Sequence, residues 1–150
     1  MIVVLDASPT GLLTNPRQPP LAVGCNRWVR GLVGRGVRVC LPEVIDYEIR
    51  RELLLHGSTN GLARLDRLHG LVEYLAISTP LMGRAAFLWA EARRRGQPTA
   101  DRAALDADVM LAAQALLLGE ARREAVIVAT ENAPHLGQFV DARRWQEIDG

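Results

Sequence analysis

The chain opens, at residues 2–8, with Ile-Val-Val-Leu-Asp-Ala-Ser. A short, continuous apolar run of this kind is typical of a fully buried strand, so we predict a strand over residues 2–6. Asp6 falls where this strand ends. Because ligands bind parallel sheets at the carboxyl ends of their strands, Asp6 is the first candidate for a functional side chain.

Segments with strand and helix patterns alternate along the rest of the chain. Further strands are predicted over 37–41, 74–77, 126–129 and 145–148, and helices over about 21–34, 42–55, 60–72, 80–95 and 103–118. This alternation predicts βαβ crossovers, and hence a three-layer α/β/α fold with a mostly parallel sheet of four to five strands. Residues 9–20 contain four prolines and Gly11, which predicts a surface loop. No linker or repeat divides the chain, so we interpret residues 1–150 as one domain.

Composition excludes several classes of protein. Hydrophobic residues make up 49% of the 150 residues, enough for a sizeable core. No apolar run approaches the length of a membrane span and no basic leader precedes the first strand, so we expect a soluble, cytoplasmic protein without a membrane partner. Cys25 and Cys40 form no metal-binding motif and are interpreted as buried reduced thiols. All 18 basic residues are Arg, and the lack of Lys excludes a P-loop and a Schiff-base lysine.

Acidic and polar residues stand at four positions where distant segments would meet. They are Asp6, Glu48 on the apolar side of its predicted helix, Asp108 at the head of an apolar helical stripe, and residues 130–132 after a strand. Carboxylates brought together repel one another unless a cation neutralises them, and Mg²⁺ and Mn²⁺ prefer oxygen ligands. We therefore predict that Asp6, Glu48 and Asp108 are catalytic residues that bind Mg²⁺ or Mn²⁺.

Further polar residues lie near these positions along the chain. We predict that Ser8, Asp106, Thr130 and Asn132 support the acids, and that Asn15, Arg17, Arg50, Arg51 and His135 contact the substrate. Several candidates, the three acids included, have a structural alternative when they are taken alone. Asp6 can cap the turn that follows it, Glu48 can pair with Arg51, and His135 can lie on a surface loop. The net charge of +1 gives no overall sign of a nucleic-acid partner.

The order and type of these motifs resemble those of PIN-domain ribonucleases, with the VapC-type toxins as the nearest comparison. Members begin with a hydrophobic strand and Asp-x-Ser, here Asp6-Ala7-Ser8, and continue with a helical Glu, here Glu48. An Asp before an Ala-Ala-x-Ala helix follows, here Asp108, and then a strand with Thr-x-Asn/Asp, here residues 130–132. The resemblance covers almost the full length of the chain. At the fourth acidic position this chain has Asn132, so a second metal would lack a carboxylate ligand.

The resemblance implies a parallel sheet between helices and acids that bind Mg²⁺ or Mn²⁺ to hydrolyse single-stranded RNA. It also implies a small antitoxin partner and a homodimer, for which the Leu-rich helix 60–72 is a candidate interface alongside its use in the core. We therefore predict a metal-dependent endoribonuclease, the toxin of a type II toxin–antitoxin pair.

Three other functions are alternatives. A PIN-like module that binds RNA or a protein without cutting is favoured by Asn132 and by the near-neutral charge. A phosphatase of the haloacid dehalogenase type also places an Asp after its first strand. It requires a second acid two residues later, where this chain has Ser8, and a lysine, which this chain lacks. A scaffold domain would leave the coincidence of the four polar positions unexplained.

Overall fold

In the computed structural model, residues 1–96 and 102–149 are described. Five strands form one sheet: β1 (Ile2–Leu5), β2 (Arg38–Pro42), β3 (Glu73–Leu75), β4 (Val126–Ala129) and β5 (Ala142–Arg143). Their order is β3-β2-β1-β4-β5, and every neighbouring pair is parallel. The sheet confirms the predicted α/β class and places the first strand at its centre.

Helices flank this sheet in a three-layer arrangement. They are α1 (Ala7–Thr14), α2 (Pro20–Gly34), α3 (Glu43–Leu55), α4 (Thr59–Leu68), α5 (Thr79–Arg94), α6 (Arg102–Arg122) and α7 (Ala133–Leu136), with a 3₁₀ helix at Trp145–Glu147. Within the described part of the chain, none of them combines the length and apolarity that crossing a membrane requires. The interpretation of residues 1–150 as one domain stays a prediction.

The core is centred on β1, whose four residues Ile2, Val3, Val4 and Leu5 are all 0% exposed. β1 pairs with β2 on one side and with β4 on the other, with Leu5 opposite Ala129. A fully buried aliphatic side chain contributes roughly 1.5–3 kcal/mol relative to an exposed one. The strand that carries Asp6 is therefore held at a fixed position by the best-packed part of the molecule.

The predicted surface loop over residues 9–20 is wrong for its first half, because α1 begins directly after Asp6. The Asp6 carboxylate accepts a hydrogen bond from the Ala7 N–H at 2.6 Å and caps the helix. Pro9 lies in the first turn, where a missing N–H breaks no helical hydrogen bond. The hydroxyls of Thr10 and Thr14 donate to carbonyls one turn earlier, at 2.8 and 3.0 Å. Proline at this position is thus compatible with a helix.

The predicted edge strand over 145–148 is also wrong, because β5 lies earlier and Trp145 begins the 3₁₀ helix. Side chains hold this segment in place. The Trp145 and Trp28 rings lie 5.6 Å apart, and the Trp28 indole N–H donates to the Ile148 carbonyl at 2.9 Å. These contacts fix the end of the chain against α2 without strand pairing.

The two cysteines take no part in the site. Cys25 and Cys40 are buried and free, as predicted. Burial raises the pKa of both thiols to about 12, so neither forms a thiolate near neutral pH. Both side chains belong to the hydrophobic core.

Candidate active site

Asp6 lies at the carboxyl end of the central strand, and both of its carboxylate oxygens are engaged. Oδ1 accepts from the Ala7 N–H at 2.6 Å, and Oδ2 accepts from the Thr130 hydroxyl at 2.6 Å. Burial raises the pKa of Asp6, and these two hydrogen bonds act in the opposite direction. The carboxyl group is therefore precisely held but poorly solvated, which makes its negative charge unfavourable without a nearby cation.

Thr130 joins the carboxyl ends of β1 and β4. Its side chain is 0% exposed, and its hydroxyl also accepts from the Asn132 backbone N–H at 2.9 Å while donating to Asp6. A second link runs from the Glu131 N–H to the Ser8 hydroxyl at 2.9 Å. Asn132 itself is exposed and precedes α7. Thr130 thus contacts Asp6, and Ser8 contacts the backbone of the turn after β4. Their supporting roles stay predictions.

Asp108 lies in α6 and faces His135 of α7. The distance from His135 Nε2 to Asp108 Oδ2 is 2.9 Å, and the side chains are 18% and 20% exposed. The two atoms are close enough for an ion pair, but the geometry does not satisfy a hydrogen bond at Nε2. Burial is the main reason that the pKa of Asp108 is raised to about 6. The charge of His135 opposes this rise, whereas the charge of Asp6 adds to it.

Glu48 lies on α3, close enough to Asp6 and Asp108 for their charges to act on it. Burial is the main reason that the pKa of Glu48 is raised, and the charge of Asp6 adds to this rise. The charge of Arg51 opposes the rise, and that of Asp108 adds to it. The charge of Asp6 thus acts on the pKa of both Glu48 and Asp108, and the charge of Asp108 acts on that of Glu48. The structure therefore brings together the three side chains that the sequence analysis selected, and their catalytic and metal-binding roles stay predictions.

The donor chemistry of this cluster fits a divalent cation. Asp6, Glu48 and Asp108 supply carboxylate oxygens, and burial raises the pKa of each because it disfavours the charged form. Among the side chains that the structure describes, no three Asp, Glu, His or Cys residues already converge on one point at coordination distance. A shared ion would therefore require these side chains to move closer together than they lie here.

Arg50, predicted to contact substrate, is instead held in a second cluster that the sequence analysis did not identify. This Asp46 cluster consists of Asp46, Arg50, Asp66 and His69. Arg50 donates to both Asp46 oxygens at 2.8 and 3.1 Å and to Asp66 at 3.0 Å, and His69 Nε2 lies 2.6 Å from Asp46 Oδ2. Burial alone would raise the pKa of Asp46, but the hydrogen bonds from Arg50 and His69 outweigh it and hold that pKa below its usual value.

The other basic candidates are more accessible. Arg51 is exposed on α3, with its guanidinium 5.3 Å from the centroid of the Tyr47 ring, and its charge acts on Glu48. Arg17 is also exposed, and its backbone N–H donates to the Asn15 side chain at 3.0 Å. Of the three arginines predicted to contact the substrate, Arg51 is the one whose charge acts on one of the three acids, Glu48.

Two predicted residues line surface grooves that none of the three acids lines. Asn15 lines a groove of about 320 Å³ between α1 and α3, together with Glu52 and His56. Asp106 is exposed and lines a mostly apolar groove of about 410 Å³ between α5 and α6, together with Trp89. Asp106 is therefore placed at the surface next to α5, whereas Asp108, two residues later, faces His135.

Replacing Asp108 by Asn should stabilise the metal-free protein at pH 7, by about 1 kcal/mol. A carboxyl whose pKa rises from 3.8 to about 6 on folding opposes folding when ionised, by at most about 3 kcal/mol, and partial exposure and His135 reduce this. Because the folded state holds the proton more tightly, the contribution of Asp108 to stability falls as pH rises from about 4 to 6. Urea unfolding in EDTA should thus show the gain at pH 7 and not at pH 4. A loss of stability at pH 7 would contradict this account, and Glu120→Gln on the same helix is the control.

Comparisons with known proteins confirm the fold. No protein-family model matches the chain, and no curated protein matches it in sequence. Several solved structures do match over almost the full length. FitAcB from Neisseria gonorrhoeae has a chain with a TM-score of 0.71 and 19% identity, which covers 98% of this chain and 100% of that one.

Two further matches come from complexes named VapBC. VapBC-1 from nontypeable Haemophilus influenzae gives a TM-score of 0.67 at 17% identity, over 98% of this chain and 100% of that one. VapBC2 from Rickettsia felis, bound to a DNA fragment from its promoter, gives a TM-score of 0.68 at 13% identity, over 97% of this chain and 99% of that one. At these identities the likeness is one of fold: the chain shares its α/β architecture with chains of these structures.

Proposed function

We propose that the protein is a Mg²⁺- or Mn²⁺-dependent endoribonuclease that cuts single-stranded RNA. The observation that carries the proposal is that Asp6, Glu48 and Asp108 lie close enough to interact: burial raises the pKa of all three, and the charge of Asp6 adds to the rise at Glu48 and at Asp108. Perturbed acids of this kind concentrate at functional sites. The shared fold with chains of VapBC and FitAcB complexes supports the same proposal.

Each residue of the site has a distinct part in this proposal. A bound Mg²⁺ or Mn²⁺ would polarise the scissile phosphate and make a bound water more acidic. Asp6 and Asp108 would hold the ion directly, and Glu48 would hold it or orient its water. Thr130 fixes the rotamer of Asp6 through its hydrogen bond. Arg51, exposed beside Glu48, would neutralise the phosphate of the RNA.

The proposal extends to a small protein partner, because the resemblance implies that the chain is a toxin held inactive by an antitoxin. A basic side chain of that partner would neutralise Asp6, Glu48 and Asp108 in place of the cation. Expression together with its genomic neighbour tests this part. Co-purification of a small protein would support it, and non-toxic expression of the lone chain would count against it.

A homodimer, also implied by the resemblance, would need a surface other than the apolar side of α4. Leu65 and Leu68 are 0% and 6% exposed within the single chain, so they belong to its own core. We propose that the protein dimerises through exposed apolar residues elsewhere. Sedimentation of the purified protein tests the association, and a monomer at high concentration would exclude it.

The first experiment is cleavage of labelled single-stranded RNA in Mg²⁺, Mn²⁺ or EDTA. We expect cleavage with a metal, none with EDTA, and none for the variant Asp6→Asn/Asp108→Asn. Glu120→Gln, an exposed acid paired with Arg84, is the control and should cleave normally. Cleavage that persists in EDTA, or in the double variant, would contradict the proposal.

A non-catalytic module that binds RNA or a protein is the second candidate function. It is favoured by Asn132, whose exposed amide replaces a carboxylate, and by the incomplete convergence of the acids. Mn²⁺ binding separates the candidates, because a module without catalysis has no need of a cation at its acids. Absence of both cleavage and Mn²⁺ binding would favour this module over the nuclease.

A further inference from the structure

The turn after β4 lacks a carboxylate at residue 132 but carries a histidine nitrogen, that of His135, close to the site. Asn132 stands where the resemblance would place a fourth carboxylate, but it is exposed and its backbone N–H is bonded to Thr130. Three residues later, α7 brings the His135 imidazole to 2.9 Å from Asp108. The chain therefore has an additional nitrogen donor at the site, supplied by an element that comes directly after residue 132.

The position of His135 is fixed by its surroundings. Its backbone N–H donates to the Asn132 carbonyl at 3.1 Å, and its own carbonyl accepts from Gln138 at 2.8 Å. The next residue, Leu136, is 1% exposed and anchors the turn in the core. At Gly137 a Cβ atom would come within 2.8 Å of the Ala133 carbonyl oxygen, so the turn packs too closely for a side chain there. The imidazole is thus presented by a well-anchored turn.

His135 Nε2 itself is buried without a hydrogen-bond partner. Buried polar atoms are almost always hydrogen-bonded, and the one carboxylate shown beside this nitrogen, that of Asp108, is at ion-pair distance without satisfying a hydrogen bond, so the nitrogen has room for a further partner. Two neighbouring ligands of an octahedral ion, each about 2.1 Å from it, lie about 3.0 Å apart. The 2.9 Å between His135 Nε2 and Asp108 Oδ2 is close to that spacing. These atoms are therefore placed as two adjacent ligands of one cation would be.

We propose that His135 is a direct metal ligand together with Asp108, and that it makes the site select a transition-metal ion over Mg²⁺. This inference rests on the proposed metal-dependent function and specifies which ion serves it. Mg²⁺ takes oxygen ligands almost exclusively, whereas first-row transition ions also accept imidazole nitrogen. A nitrogen ligand in place of the fourth carboxylate therefore favours a first-row transition ion over Mg²⁺ through the type of ligand.

The test is the coordination of Mn²⁺, measured by electron paramagnetic resonance on the full chain without an affinity tag. Pulsed spectra of the wild type should show the coupling of one directly bound ¹⁴N nucleus. His135→Gln should lose that coupling and bind Mn²⁺ at least about 10-fold more weakly, with Mg²⁺ affinity changed less than Mn²⁺ affinity. His56→Gln, an exposed histidine at the end of α3, is the control and should keep both properties.

The outcomes distinguish this inference from the function on which it rests. Bound Mn²⁺ without ¹⁴N coupling in the wild type, or coupling that survives in His135→Gln, would overturn the ligand assignment and leave the proposed nuclease intact. No Mn²⁺ binding by the wild type would overturn the ligand assignment and the proposed metal site together. Coupling that disappears only in His135→Gln would establish the assignment.

Discussion

Asp6→Asn should slow the metal-dependent cleavage of single-stranded RNA by at least about 100-fold, the loss expected when one strong electrostatic contributor is removed. The substitution keeps the size of the side chain and an oxygen that can accept from Thr130 or from the Ala7 N–H. What it removes is the negative charge at the centre of the proposed site. Single-turnover rates at saturating Mn²⁺ would measure the effect on the chemical step.

The control for this variant is Asp141→Asn, which removes a surface acid that is paired with Arg143 at 2.7 Å. It should cleave within about 2-fold of the wild type, since exposed ion pairs contribute little. Unfolding curves should show Asp6→Asn folded at the assay temperature. A variant that retains full metal-dependent activity would remove Asp6 from the site.

Asp46→Asn should lower the free energy of unfolding by about 2–3 kcal/mol at pH 7. Asp46 is 6% exposed and receives hydrogen bonds from Arg50 and His69, and removing one partner of a buried ion pair leaves the others uncompensated. Arg50 and His69 are 33% and 34% exposed, so water limits the loss to the lower part of the range for buried pairs. Urea unfolding followed by circular dichroism measures it.

The pH dependence of this loss has a definite sign. The pKa of Asp46 is lowered from 3.8, so its stabilising contribution is fully present above that value and is lost as pH falls through the lower folded pKa. The difference between the wild type and Asp46→Asn should therefore shrink below about pH 4. Asp66→Asn, at the 64% exposed end of the same cluster, should change stability by less than about 1 kcal/mol. Equal losses in the two variants would contradict this assignment.

Features set by local sequence were predictable, and those set by distant contacts were not. The runs over residues 2–6 and 126–129 are apolar enough to specify buried strands, and their ends correctly placed Asp6 and Thr130 together. The prolines of residues 9–20 are typical of a loop, whereas in the structure Asp6 caps a helix that begins directly after it. For this reason α1 was not predicted. The predicted strand at 145–148 failed because side-chain contacts with Trp28, far away in sequence, determine that segment.

The site shows the same division. Glu48 and Asp108 were identified from their place on helices, which is local information. The contact of Arg50 with Asp46 follows the i,i+4 spacing of a helix, but the contacts of Asp66 and His69 with these residues come from another helix and its end, and no spacing rule indicates them. The place of His135 depends on α7, a helix of four residues that is too short to produce a periodic pattern.

The arrangement of the sheet has a consequence for synthesis. Ribosomes release a chain from its amino terminus, at about 5–20 residues per second, so β1 emerges first. Its neighbour β4 emerges more than a hundred residues later, since the bond from Thr130 to Asp6 spans 124 positions. Until then one edge of the most apolar strand stays open to chaperones, and the acids are not assembled. The nascent chain should thus lack the proposed active site until β4 has been synthesised.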